Sequence, residues 1–351
     1  MLRFCLRLIL AASLAISGWH IYQITSNPAV SALVDRTKIE ITARMNKEMI
    51  NAVTQQNLSE NLTKLLQEDP VNWLVITEMQ EVAEIRKIKI PQPLQKELKA
   101  KYAKDHGFVK TTGKCISCGW DAGNCELSAV LLCRAPVDLT PIGDVSGVVR
   151  ESANYALGNP VDRLDLTLST IGLGATALAA PTGGTSLSLK LGASVLKTMH
   201  KIGKLSPGIT KMTTEAAQNA IQWDKLAQGN FKSIDEVMSP EALQPLSKVA
   251  KAAGDIRANT SLLHTAHLLK YVDSAKEAAA TAKIAAALGP RTLATFEILG
   301  KSRTLRAALK YSDAAIAALM ALISALISVL CLLASTLFNR TTRLALSKAA
   351  R

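Results

Sequence analysis

Four cysteines fall close together as Cys115-x2-Cys118-x6-Cys125-x7-Cys133, in the stretch Lys-Cys-Ile-Ser-Cys-Gly-Trp-Asp-Ala-Gly-Asn-Cys and the residues after it. In an oxidising compartment, an even and clustered set of thiols in a glycine-rich segment reads as two disulfides closing a small loop. The same four thiolates would also ligate zinc, because a tight Cys-x2-Cys turn suits tetrahedral geometry. Against zinc, the second pair is spaced by seven residues. Free or redox thiols are the third reading. A thioredoxin-like active site is disfavoured, since that motif belongs at the start of a helix in a βαβ context. Cys5 and Cys331 sit apart, each inside an apolar run at one end of the chain.

Other chemistry-bearing patterns are weaker. Gly172-Leu-Gly174-Ala-Thr-Ala177 matches the glycine pattern of dinucleotide sites, but the acidic residue needed further on is absent and no second βαβ unit follows. His264-Thr-Ala-His267 places two imidazoles on one helix face with no third ligand, so they read as surface or packing residues. No Walker A, H-E-x-x-H or G-x-S-x-G motif occurs. The expectation is a protein that is not an enzyme, with no cofactor other than zinc at the four cysteines.

The elements that must position these residues are helical. The chain has 351 residues, 48% of them hydrophobic but only 4% aromatic, with Ala and Leu carrying much of the apolar share. That balance disfavours a β-sandwich or barrel and excludes a wholly disordered chain. The long amphipathic pattern over 35–68 stops at Asp69-Pro70, and further helices are expected over 72–89 and from Pro93 to Gly107. Residues 111–147 read as a glycine-punctuated loop segment. A small-residue apolar hairpin over 166–196 follows, turning at Pro181-Thr-Gly-Gly184, and it fits a buried pair, a re-entrant element or a weak membrane-crossing pair. Thr213 or Thr214 would cap a helix that stops at Gly229; Ser233-Ile-Asp-Glu236 and Ser239-Pro240-Glu241 are further helix starts.

Membrane signals lie at both ends. Arg3 and Arg7 precede an apolar run that reaches Ile24, the pattern of a signal peptide or uncleaved signal anchor. Ala314 to Phe338 carries no charge; a helix of that length is roughly 37 Å long and spans a hydrocarbon core of about 30 Å. Ala317, Ala321 and Ala325, with Ser324 and Ser328, would give this helix a small-residue face for packing on another helix. The formal net charge is +13, and almost all of it falls after residue 182. Lys301, Arg303, Arg306 and Lys310 precede the last apolar run, and Arg340, Arg343, Lys348 and Arg351 follow it, as groups that would meet anionic headgroups. The basic residues of 183–312 are spread at helical spacing with few aromatics, a solvated lysine face rather than a nucleic-acid surface.

The stretch Pro136-Val-Asp138-Leu-Thr-Pro141-Ile-Gly143-Asp144, followed by a helix and then the Gly-, Ala- and Leu-rich run 164–180, resembles the pre-toxin segments that precede toxin domains in secreted bacterial polymorphic toxins. The resemblance covers 136–182 and would place the family's Thr-Gly pair at Thr182-Gly183. It implies delivery at or across a membrane and transfers no catalytic residue.

The expected protein is thus mainly α and membrane-associated. Its segments are an anchor or signal (1–24), an amphipathic helical region (25–110), a cysteine-stapled segment (111–150), the apolar hairpin (151–196), a basic helical region (197–312), a transmembrane helix (313–338) and a basic tail (339–351). The expected role is an interaction or scaffold protein at a bacterial inner membrane, its central region exported. Its partners would be anionic lipid and other proteins or copies of itself, with no nucleic acid. The alternative is a membrane-inserting protein of toxin or pore-forming type that uses 166–196 and 314–338.

Overall fold

The computed structural model describes residues 28–106, 108–134, 136–137, 140–177, 186–221 and 239–308. The segments 1–24, 313–338 and 339–351 lie outside these, and with them Arg3, Arg7, Lys310, Arg340 and Arg343. The packing residues Ala317, Ala321, Ala325, Ser324 and Ser328, the Thr182-Gly183 pair and the Ser233 capping box lie outside as well. Among the described residues the protein is helical, with no β-strand. No helix among them is long and apolar enough to cross a membrane. Residues 41–308 form one compact unit; of the other unit, 1–40 with 309–351, residues 28–40 are described, as the start of the first helix.

That helix, α1 (Pro28–Ala52), is followed by α2 (Gln55–Leu66), α3 (Trp73–Ile85), α4 (Gln92–Asp105) and α5 (Phe108–Trp120). Two 3-10 turns come next, Ala122–Asn124 and Ala129–Arg134. Then come α6 (Ile142–Ala156), α7 (Arg163–Ala177), α8 (Leu187–Lys201), α9 (Pro207–Ala220), α10 (Pro240–Asn259), α11 (Leu262–Leu269) and α12 (Ala275–Leu288). A 3-10 turn, Gly289–Arg291, leads into α13 (Thr292–Leu299), and residues 301–308 are again helical.

The helix starts follow from short polar side chains. Ser206, Ser239, Ser261 and Ser274 each accept the backbone N–H three residues on, and Thr54 and Asn72 do the same for α2 and α3. Each such cap contributes about 0.5–2 kcal/mol. Pro207 and Pro240 follow their caps directly, where a missing N–H costs nothing.

Two local expectations are corrected. The single helix over 35–68 is two helices, because Thr54 leaves helical geometry to cap α2. Thr213 is not a cap: it lies inside α9, capped by Ser206.

The core of the 41–308 unit is built around α8, which packs against α7 and α10. Val195, Leu196 and Met199 are buried, each stabilising the fold by roughly 1.5–3 kcal/mol relative to exposure. The α8–α10 crossing is backbone to backbone. A Cβ on Gly192 would sit 1.6 Å from the Ala250 carbonyl oxygen, and one on Gly254 would sit 1.7 Å from that of Ser188. The expected apolar hairpin is therefore this α7–α8 pair, and it is buried against α6, α9 and α10. Gly172 and Gly174 fall within α7 and form no phosphate-binding loop.

Candidate functional site

A groove of about 600 Å3 opens between the α2–α3 turn, the end of α4 and the cysteine segment. Each wall is fixed by identifiable contacts. Asn72 has two roles. Its side-chain oxygen accepts the Val75 N–H at 3.4 Å, capping α3, while its amide nitrogen meets His267 Nδ1 at 3.2 Å in the groove floor. One residue along, Trp73 donates its indole N–H to Asp105 at 3.0 Å and meets Tyr102 edge-on at 5.0 Å between ring centroids. His106 stacks on Tyr102 at 3.9 Å. The start of α3 is thereby locked to the end of α4 through one hydrogen bond and three rings.

The cysteine segment forms the third wall, through Lys114 and residues 126–130. Cys115 pairs with Cys133 and Cys118 with Cys125, with Cα separations of 5.5 and 4.4 Å. Half of this segment is helix rather than loop. α5 carries Cys115 and Cys118, and the two 3-10 turns fold back onto it. Arg134 helps to close the end of α5 by donating to the carbonyls of Gly119 and Trp120. Lys114 and Glu126 form an ion pair across the loop. The sequence read glycines 113, 119 and 123 as loop signals; the two crosslinks and these polar contacts hold them in a helix and a turn instead.

The floor is polar and buried. His267 is 3% exposed, and burial, with Lys270 and His264 nearby, pulls its pKa from 6.5 to about 3. It is neutral at ordinary pH. Because the Asn72 oxygen is occupied by Val75, its amide donates to Nδ1, and the ring proton belongs on Nε2. The second histidine takes a different partner. His264 Nε2 contacts Glu78, whose other oxygen accepts the Ala294 N–H at 2.9 Å. His264 Nδ1 lies 2.6 Å from Ser261 Oγ. Burial raises the Glu78 pKa, with His264 opposing it. Ser261, His264 and Glu78 have the order of a nucleophile relay, but none of them lines the groove. Their work here is to join α3, α11 and α13.

A second polar cluster lies in α6, α7 and α8. Lys197 is 4% exposed and donates to the Gly143 carbonyl at 2.9 Å, Asp144 at 3.1 Å and Ser169 at 3.2 Å. Lys190 is also buried, 3.9 Å from the other Asp144 oxygen and donating to Thr176. Asp165, fully buried, takes Arg150 and Lys201. Burial pushes Asp144 up, against the pull of Lys197. Burial also acts on Glu151, yet Arg150, the Asp162 N–H and Asn154 hold it below the usual carboxylate range. Lys190 and Lys197 depart from the expected solvated basic face, as interior charges with interior partners, while Lys204, Lys211, Lys248, Lys251, Lys276 and Lys283 are exposed as that reading expects.

Of the basic residues expected to flank a membrane helix, Lys301 is ion-paired with Asp273 and Glu277, and Arg303 and Arg306 are exposed. Among the described residues no group of three His, Cys, Asp or Glu side chains is placed to hold a metal ion. Asn72, Trp73, Tyr102 and His106 carried no motif in the sequence. Glu78 did leave a trace, since of the three glutamates of α3 it is the one at helical spacing between Val75 and Val82, on the apolar face. No family model matches the chain, and no curated protein or solved structure matches it.

Proposed function

We propose that this chain is an exported helical interaction protein, held at a membrane by its terminal apolar segments, and that it receives a protein partner in the groove beside the disulfides. The observation that carries this reading is the pair of disulfides in the segment that walls the groove. Such crosslinks persist in oxidising compartments and hold a surface segment in one shape before any partner arrives. The groove combines an aromatic cluster with both signs of charge, a composition suited to protein recognition.

The topology is tested with a reporter enzyme active only outside the cytoplasm, fused after residue 140 and near residue 250. Activity at both sites is expected; silence at both removes export. The groove is tested with a photo-crosslinking amino acid at position 102, which should capture a discrete partner in cells. The same group at exposed Lys96 should not, and equal patterns at both would remove the groove from the account.

The second reading, membrane insertion by 166–196 and 314–338, is favoured by the small apolar side chains of the α7–α8 hairpin. It is opposed by Lys190 within that hairpin, which would have to leave Asp144 and Thr176 for hydrocarbon, and by Asp165 and Lys197 at its two ends, whose buried ion pairs would be broken. Dye release from anionic liposomes separates the readings, since an interaction protein releases none.

A further inference from the structure

We propose that a second groove, between α1, α3 and α12, binds a single-chain anionic amphiphile, a long-chain carboxylate, with its tail over two methionines and its head between two arginines. This site is separate from the groove beside the disulfides and does not depend on it. Its volume is about 390 Å3, within the range of roughly 300–1,000 Å3 usual for small-molecule sites.

The floor is apolar and buried, made by Met45 and Met49 of α1, Val82 of α3 and Leu288 of α12. Methionine is unbranched and polarisable, so a floor with two of them adapts to a flexible chain. Ile50 and Ile85 stand at the sides 62% and 64% exposed, although both are large apolar residues next to a buried floor. An alkyl tail lying between them would remove that surface from water.

The charge is one-sided. Arg86 and Arg291 line the groove, and no carboxylate does among the described residues. Arg86 donates to the Asn46 carbonyl at 3.4 Å, which holds its guanidinium over α1 at the groove edge. Arg291 sits on the 3-10 turn Gly289–Arg291 at the end of α12 and is exposed. A planar guanidinium fork matches a carboxylate with two parallel hydrogen bonds. The size argues against larger occupants. An amphipathic helix needs a channel about 10 Å wide with anchor sites over several turns. A two-chain lipid would leave one tail in water.

The test uses the full chain in nanodiscs and a palmitate probe carrying a mid-chain diazirine and a terminal alkyne. Labelling is expected on the peptides that contain Met45 to Ile50 and Leu288. Ile50→Glu, a change at an exposed position that leaves the core intact, should cut labelling about tenfold, as should Arg86→Gln with Arg291→Gln. The methyl ester of the probe, which has the tail without the charge, should label about tenfold less than the acid. Label spread along the chain, or equal labelling by acid and ester, would overturn the proposal. So would undiminished labelling of both variants, or capture of an acidic protein helix by a photo-crosslinker at position 50.

Discussion

Lys197 gives hydrogen bonds to Gly143, Asp144 and Ser169 from a position 4% exposed, and buried Lys190 stands 3.9 Å from the other Asp144 oxygen, so these charges exist in the interior as a group of three. Lys197→Met should therefore destabilise by up to about 3–5 kcal/mol, because it takes the closer of two cations from a buried carboxylate. Asp144→Asn added to Lys197→Met should recover only part of that loss, because buried Lys190 then loses its carboxylate, and urea unfolding of the two variants checks the difference. His267 makes a pH prediction with a defined sign. Its folded pKa is about 3 against an ordinary 6.5, so between those values the unfolded chain binds the extra proton and stability falls as pH falls. The fully developed slope is about 1.4 kcal/mol per pH unit. Unfolding free energies of the wild type and His267→Gln, compared from pH 6.5 to 4, should diverge by about that slope; parallel curves would contradict the neutral buried ring. Residues of this kind were poorly legible in the sequence. His264 and His267 were visible as a pair on one helix, but the partners that decide their chemistry, Glu78 and Asn72, come from about 190 residues away.

At the scale of elements, the α8–α10 crossing sets the tightest constraint. Gly192→Ala would drive a methyl group into the Ala250 carbonyl, where backbone has to move, and loss of folded protein is expected. Gly174→Ala is the contrasting case. That glycine lies in the interior of α7 with nothing within 4 Å of a new Cβ, so the substitution should stabilise by about 0.5–1 kcal/mol. Thermal denaturation of both variants checks the pair. Many helix starts were legible because a cap is a local event: Ser239 before Pro240 is a chemical signal within a few residues. The break at Val53-Thr54 was not, since the apolar spacing of Met49, Val53, Leu58 and Leu62 runs through it without interruption. α5 was missed for the opposite reason. Its glycines argue for a loop, and it is helical because Cys115 and Cys118 are tied to residues beyond its end.

For the whole molecule, the helical class was legible from composition, since an Ala- and Leu-rich chain poor in aromatics builds helices. The placement of charge was legible in part. The excess after residue 182 pointed to a solvated basic face, and Lys204, Lys211, Lys248, Lys251, Lys276 and Lys283 are exposed, but Lys190 and Lys197 are spent inside the fold and Lys301 on two surface acids. The groove was invisible for a related reason, because its walls come from three stretches that meet only when the chain folds. The disulfides tie one of those walls together, so removing Cys118–Cys125 by a double Ala substitution should loosen it. A cost of about 2–4 kcal/mol is expected for a native crosslink, together with faster amide exchange over residues 122–130 and little change in α8. The proposal of a crosslinked segment outside the cytoplasm is tested most directly by thiol mapping of the full chain in its own cells. Cells are treated with a membrane-permeant alkylating reagent before lysis, and the peptides are then mapped with and without reduction. Cys115, Cys118, Cys125 and Cys133 should all escape alkylation until reduced, with peptides joined 115 to 133 and 118 to 125. Alkylation of all four before reduction, or zinc released on denaturation, would contradict it.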